Sequence, residues 1–533
     1  MGESIAAILY INAGSLILFA LAIKLSHGIV ARQTMVTWAG LWVLTTTVMF
    51  LSPNFWVFAF LAFLIGWYGR KKLPGNDGLL LFIVLMFAAP NLVTRLPGFA
   101  GINTLLDLTP QRILALAILV PAMPQLLRME VPNRLRIVDK LVILITILVT
   151  VLSYRHYEAS ITDTVRRGIS HSLDIAVPYF VFSRCLTSAA DLRKSYVAFV
   201  FGTLPFPVIG ILEFLRQWRM YNPVAERWGA ELIQSYLFRE GMLRAAGPAI
   251  EAIAFGFVCM IGAGCALIYL SRERRSLLSY ILIGALSVGL VVSLSRGPWV
   301  GAAVMLAVYM VARPKAISAT MRSVLLGGVL LVPLLMSPLG DGILRYLPFV
   351  GTVENNNVEY RQALIDNSMA IIGRYPFFGS ANFLTEPEML SMRQGQGIID
   401  VVNTYVALAL EFGLVTLAIF AAIFLITGLA GYRLARRPGP LGDMARIWVA
   451  LLAGTLVTIA TVSSVSYIPL IYWILAGLGV AIARVAVAAS VEDVPSATRP
   501  AEPRSGLRVI GAGAYARSTP TSGDLAGATD MRG

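Results

Sequence analysis

The stretch Asn356-Asn-Val-Glu-Tyr-Arg-Gln-Ala-Leu-Ile-Asp-Asn-Ser-Met-Ala-Ile-Ile-Gly373 is a polar interval with helix signals of its own, set between long apolar runs. Asn356 offers an N-cap, Glu359 follows three residues later, Gly373 is placed to stop the helix and Pro376 bars its continuation. At about 100° per residue, Val358, Leu364, Ile365, Met369, Ile371 and Ile372 all fall within about 80° of Arg361. This places Arg361 near the middle of an apolar face, with Glu359, Gln362 and Asp366 on or beside the polar side. A guanidinium facing an apolar interior is costly unless it meets an anion or reaches back to water. Arg361 is therefore either a snorkelling side chain or a ligand for a carboxylate or phosphate.

Outward from this interval the chain is mostly apolar. Hydrophobic residues make up 57% of the 533 positions and charged residues 14%, with a mean hydropathy of +0.75. Such values exclude a soluble globular domain and predict an all-α, polytopic helical membrane protein. About fifteen apolar runs are long enough to cross or nearly cross a bilayer, and a count as low as twelve stays open because several are short. Three cysteines, all in or beside apolar runs, and three histidines leave no metal cluster or disulfide framework to read. No motif for a nucleotide or a catalytic metal is present, so no cofactor is expected.

The net charge of +14 sits in short turns between apolar runs, which argues for the positive-inside bias and against nucleic acid as a partner. Alternate turns hold the cations: Lys24 and Arg32; Arg70 to Lys72; Arg128 to Arg136; Arg184 to Lys194; Arg272 to Arg275; Arg313 to Arg322; Arg433 to Arg446. These turns are expected to be cytoplasmic. The other set includes the two long loops, about 215–248 and 339–400, which are then periplasmic. Residues 1–486 form the transmembrane domain on this reading. From about 487 to 533 the composition shifts to Ala, Gly, Pro, Ser and Thr, as expected of a disordered cytoplasmic tail.

Asp174, Glu213, Glu251 and Glu411 fall in or at the edges of apolar runs, where ionisable groups are expensive and face a cavity or an opposite charge. The first long loop carries Arg216, Arg219, Arg227, Arg239 and Arg244 against the usual bias, and Arg296 stands in a very short outer turn.

Four pieces of this sequence, taken in order, resemble a known family: Ser295-Arg296-Gly297; Tyr360-Arg361 leading to Ile371-Ile-Gly-Arg-Tyr-Pro-Phe-Phe-Gly379; Asn403-Thr-Tyr405; and Leu410-Glu-Phe-Gly413. They are similar to the conserved region of the O-antigen ligase and Wzy-type polymerase superfamily, over about residues 240–430. One departure is Val402, where the ligase-type motif has His; this favours a polymerase and leaves the general base unassigned. Family polymerases pair an arginine with a later glycine in two periplasmic loops, and Arg244 with Gly256 and Arg361 with Gly373 follow that spacing here.

The resemblance implies a GT-C-like glycosyltransferase of the inner membrane. It would polymerise undecaprenyl-diphosphate-linked oligosaccharide repeat units into exopolysaccharide or O-antigen at the periplasmic face. Membrane lipids, a chain-length regulator and a flippase of the same pathway are the implied partners. Such chemistry needs a cationic clamp on the departing diphosphate, for which arginine is better suited than lysine, and a carboxylate near the attacking hydroxyl. Arg361, Arg244 and Glu251 are the expected catalytic residues, with Arg239, Arg296, Arg374, Glu359, Asn403 and Tyr405 on the substrate. Glu359, Asp366, Glu240 and Asp400 compete with Glu251 for the carboxylate role. A ligase moving finished glycan to a lipid or protein acceptor is one alternative. A lipid-linked glycan flippase is another; it would line a central cavity with cations, whereas here the arginines gather in outer loops.

Overall fold

A computed structural model describes residues 2–98, 104–129, 132, 135–156, 160–230, 238–239, 241–270, 276–313, 355–393 and 399–492. The chain divides into a large unit, residues 1–489, and a C-terminal unit, 490–533. The tail beyond 492, the run at about 323–338 and Glu240 lie outside the described residues.

Helices dominate, and the only strands among the described residues are two short antiparallel hairpins: Thr94–Pro97 with Thr104–Leu108, and Phe238–Arg239 with Met242–Leu243. Eight described helices are long and apolar enough to cross a membrane: Gly2–Leu25, Arg32–Leu51, Arg136–Arg155, Ala189–Arg216, Ala252–Leu270, Thr404–Ala435, Pro440–Ile459 and Ile468–Ala489. Leu277–Val292 and Arg296–Val311 are shorter apolar helices. This is a polytopic all-α membrane protein.

Several apolar runs are interrupted instead of continuous, and each interruption has a local cause. The run read at 78–93 is helical only over Asp77–Leu85. Beyond it the Gln111 amide donates to the carbonyls of Met86 (2.8 Å) and Ala89 (3.0 Å), supplying donors where the chain has left the helix. The run at 110–127 begins as Pro110–Leu114, widens into a π-turn at Ala115–Leu119 and tightens at Val120–Ala122, where Pro121 cannot donate. A second π-turn, Ser172–Ala176, precedes Val177–Arg184.

Small residues set the closest helix crossings. A Cβ on Gly301 would stand 2.8 Å from Gly454 O, so Arg296–Val311 and Pro440–Ile459 touch backbone to backbone. Two of the cations used to judge sidedness, Arg184 and Arg446, are buried and structural, as is Arg484. Arg184 pairs with Asp139 at 2.6 Å. Arg446 donates to Ala312 O (3.2 Å) and Ala435 O (3.1 Å), and Arg484 to Arg184 O (2.7 Å) and Leu186 O (2.8 Å). They close helix ends whose carbonyls would otherwise lack donors.

The helix read from Asn356 spans Asn355–Arg374. Gly373 does not stop it: Tyr375 N still bonds Ile371 O at 3.0 Å, and Pro376 ends the ladder. Its buried face is Leu364, Ser368, Ile371 and Ile372. Arg361 lines up with that face but stands before its first buried residue and is exposed, a correction to its interior-facing placement; Ile365 and Met369 are exposed as well, so the apolar arc is only partly covered.

Candidate functional site

The loop helix Asn355–Arg374 has a small core of its own: Leu364, Ile371 and Ile372 pack with Phe383, Met389, Met392 and Val401, and with Ala409 and Leu410 of the long helix Thr404–Ala435. At its C-terminal end Arg374 pairs with Glu388 (2.9 Å) and Glu386 (3.2 Å). The Glu388 carboxyl lies below the usual carboxylate range, held there first by its own backbone N–H and then by Arg374. At the other end Tyr360 donates its hydroxyl to Asp400 O at 3.3 Å. Glu359 is exposed in the first turns, and Asp366 accepts from Gln362 at 3.2 Å.

Next in the chain, the turn Pro376–Gly379 is joined to the long helix through backbone groups. Ser380 N donates to Leu410 O (2.7 Å), Leu414 N to Pro376 O (2.8 Å) and Val415 N to Phe377 O (3.3 Å). Gly413, at φ 82° and ψ 173°, breaks the long helix and frees these groups. A Cβ on Gly413 would collide with Phe377 O, and one on Gly379 would stand 2.5 Å from Leu410 O. Both glycines are thus required by close backbone approach as well as by positive φ.

Arg155 and His156, at the end of a distant helix, complete this junction. Arg155 donates to Phe378 O (2.5 Å) and Gly379 O (3.1 Å), and His156 Nε2 lies 3.2 Å from Glu411 Oε1. Sequence reading missed both residues; the polar trio Tyr154-Arg155-His156 at the end of an apolar run was the available signal.

A second group forms at Ser293–Gly297. Arg239 donates to Leu294 O (2.6 Å), and Arg244 to Ser293 O (3.3 Å) and Ser295 Oγ (2.8 Å). Arg296 belongs to the same turn, so the structure gathers three expected arginines there. Gly256 lies against it: a Cβ would stand 2.6 Å from Ser293 Oγ. Glu251 immediately precedes the helix Ala252–Ala266 and follows Ile250, whose φ of 63° is unusual for a β-branched residue. That strained connection is fastened by Glu213, which accepts from Ala246 N (3.0 Å) and Gly247 N (2.8 Å). Arg244 and Glu251 flank one small cluster, Leu243, Ala246 and Ala252.

The two groups meet at a turn that sequence reading passed over, Thr461-Val-Ser-Ser-Val-Ser466. A Cβ on Gly297 would stand 2.6 Å from Thr461 Oγ1. From the other side Thr404 N donates to Val462 O (3.1 Å) and Ser463 Oγ to Asp400 Oδ1 (2.6 Å). Tyr360, one residue from Arg361, closes the series on Asp400. Asn403 and Tyr405 have structural work here: Asn403 Oδ1 caps the long helix on Tyr405 N (3.0 Å) and Val406 N (3.2 Å), and the Tyr405 hydroxyl donates to Leu456 O (2.9 Å). Asp174 is paired with Arg112 at 2.6 Å. Among the described residues no group of three or more His, Cys, Asp and Glu is arranged to hold a metal ion.

Fold and site together define a polytopic helical membrane protein whose polar chemistry lies in loops converging at one end of its helices. Residues 280–421, which include the Ser295 turn, the loop helix and the Gly413 junction, match a family model described as O-Antigen ligase. The match supports membership of the O-antigen ligase and Wzy-type superfamily, and with it a glycosyltransferase-like function in glycan assembly on lipid-linked oligosaccharide. No curated protein matches the chain.

Proposed function

We propose that this protein polymerises undecaprenyl-diphosphate-linked repeat units at the periplasmic face of the bacterial inner membrane. The observation that carries the reading is that the four family-like sequence pieces are joined in one assembly: Ser295–Gly297 meets Asn403–Tyr405 through the Thr461–Ser466 turn, Leu410–Gly413 holds the Pro376–Gly379 turn, and Arg361 is exposed on the loop helix between them. In the reaction the acceptor hydroxyl attacks the anomeric carbon of the lipid-linked glycan. The bond from that carbon to the diphosphate oxygen breaks, the electron pair leaves with the diphosphate, and the hydroxyl proton passes to a base. Arg361 neutralises the departing diphosphate. Arg244, Arg239 and Arg296 shape the turn beside it, and Glu251 is the base offered by the strained connection. Arg374 already faces two carboxylates, which favours a role in holding the loop over one on the substrate.

A ligase is the second reading, and the absence of His before Asn403 favours the polymerase. The deciding experiment is replacement of Arg361 by Ala in cells, followed by analysis of surface and lipid-linked glycan. A polymerase variant accumulates single repeat units on lipid at the periplasmic face. A ligase variant accumulates long glycan on lipid, and a flippase variant retains repeat units on the cytoplasmic side; either result overturns the proposal.

A further inference from the structure

The helix Thr404–Ala435 has 32 residues, whereas about 20 suffice to cross the hydrocarbon of a bilayer. Tyr432 and Arg433, with Arg436 and Arg437 just beyond, mark one water boundary. About 20 residues counted back from Tyr432 reach Gly413, the residue at which the helix breaks. Gly413 therefore stands at the opposite hydrocarbon boundary, and Thr404–Phe412 continue past it.

Because Pro376 O and Phe377 O accept from Leu414 N and Val415 N, the depth of the turn Pro376–Gly379 is fixed at that same boundary. Here Phe377 and Phe378 are 67% and 50% exposed, beside Leu414 at 44%. On the loop helix Ile365 and Met369 are 41% and 59% exposed, on the part of the apolar arc that its core leaves uncovered. Leaving this area in water forgoes about 25 cal/mol per Å² of burial, and aromatic rings at a hydrocarbon boundary find a favourable place among headgroups and upper acyl chains.

We propose that Phe377 and Phe378, together with Ile365 and Met369, seat the loop in the phospholipid leaflet at the Thr404 end of the long helix. Arg361, Ile365 and Met369 follow one another at four-residue spacing, so they form one row along the helix. Arg361 stands at the Tyr360 end of that row, near Asp400, and so on the water side of the seated residues. The membrane contact itself needs only the spanning fold; its use in catalysis rests on the proposed reaction.

The test uses full-length protein in nanodiscs of phosphatidylethanolamine and phosphatidylglycerol that contain lipid with a nitroxide high on the acyl chain. Phe377→Cys, Met369→Cys and, as an exposed polar control elsewhere in the loop, Ser391→Cys are each labelled with an environment-sensitive fluorophore. The native Cys185, Cys259 and Cys265 are buried, so labelling falls on the introduced thiol. Quenching at 377 and 369 is expected to exceed that at 391 by at least about two-fold, with blue-shifted emission. Quenching equal to the control at both positions overturns the proposal; if Phe377→Cys fails to fold, Met369→Cys decides alone. Absence of quenching combined with lost polymer in Arg361→Ala rejects the membrane seat and keeps the reaction. Quenching combined with normal polymer in Arg361→Ala does the reverse.

Discussion

Two arginine–glycine pairs with the same spacing sit in opposite environments. Arg244 is spent on Ser293 O and Ser295 Oγ, and its companion Gly256 is wedged against Ser293. Arg361 is exposed on a loop helix, and no atom comes within 4 Å of where a Cβ on Gly373 would stand. The spacing is thus a shared pattern without a shared role: the first pair builds a turn, and the second presents a cation. Loss of Arg244 should appear in stability as well as activity, loss of Arg361 chiefly in activity.

The largest expected effect is that of Arg361→Ala, a loss of polymer formation of about 10²–10³-fold at temperatures where the variant stays folded. Measured turnover near wild type would erase the contrast. Gly413→Ala tests what holds the second region in place. It forces a Cβ into Phe377 O at positive φ, and should destabilise by about 1–3 kcal/mol and expose the Pro376–Gly379 turn to protease. Arg244→Ala should lower the unfolding free energy by about 1–3 kcal/mol, since the buried Ser293 carbonyl and Ser295 hydroxyl lose this donor. If only turnover falls, the first pair is catalytic after all. Between the glycines, Gly256→Ala should destabilise by roughly 1–3 kcal/mol through overpacking, whereas Gly373→Ala should be neutral or stabilising by up to about 1 kcal/mol in its open helical position. Thermal unfolding of the two variants side by side sharpens the comparison directly.

The smallest effect concerns pH. The Glu388 carboxyl is depressed in the folded state, so its contribution is present above the unfolded value of about 4.3 and fades as pH falls through the folded one. Arg374→Gln should lower the unfolding midpoint slightly near neutrality, with the difference from wild type vanishing as the pH falls through the acid range, as read from unfolding midpoints at each pH.

Much of this architecture was legible. Long apolar runs announced the spanning helices, because a bilayer imposes length and composition on any segment that crosses it. The loop helix was legible in outline, although it begins at Asn355, one residue before the expected cap Asn356, and its end was set by Pro376 and not by Gly373. What the sequence could not show was tertiary. Arg361 looks central on a helical wheel, yet the body covers only half of the apolar arc. Arg155, His156 and the Thr461–Ser466 turn carry no local periodicity and acquire meaning only through contacts with residues far away in the chain. The interrupted helices were read as whole because apolar composition is blind to a π-turn.

The break at Gly413 makes a spanning segment lend its own amide groups to a loop. Stretches 376–380 and 410–415 are consequently one inheritable cassette: a change in the backbone of either must be matched by the other, while the exposed surface of the loop helix is free of that constraint.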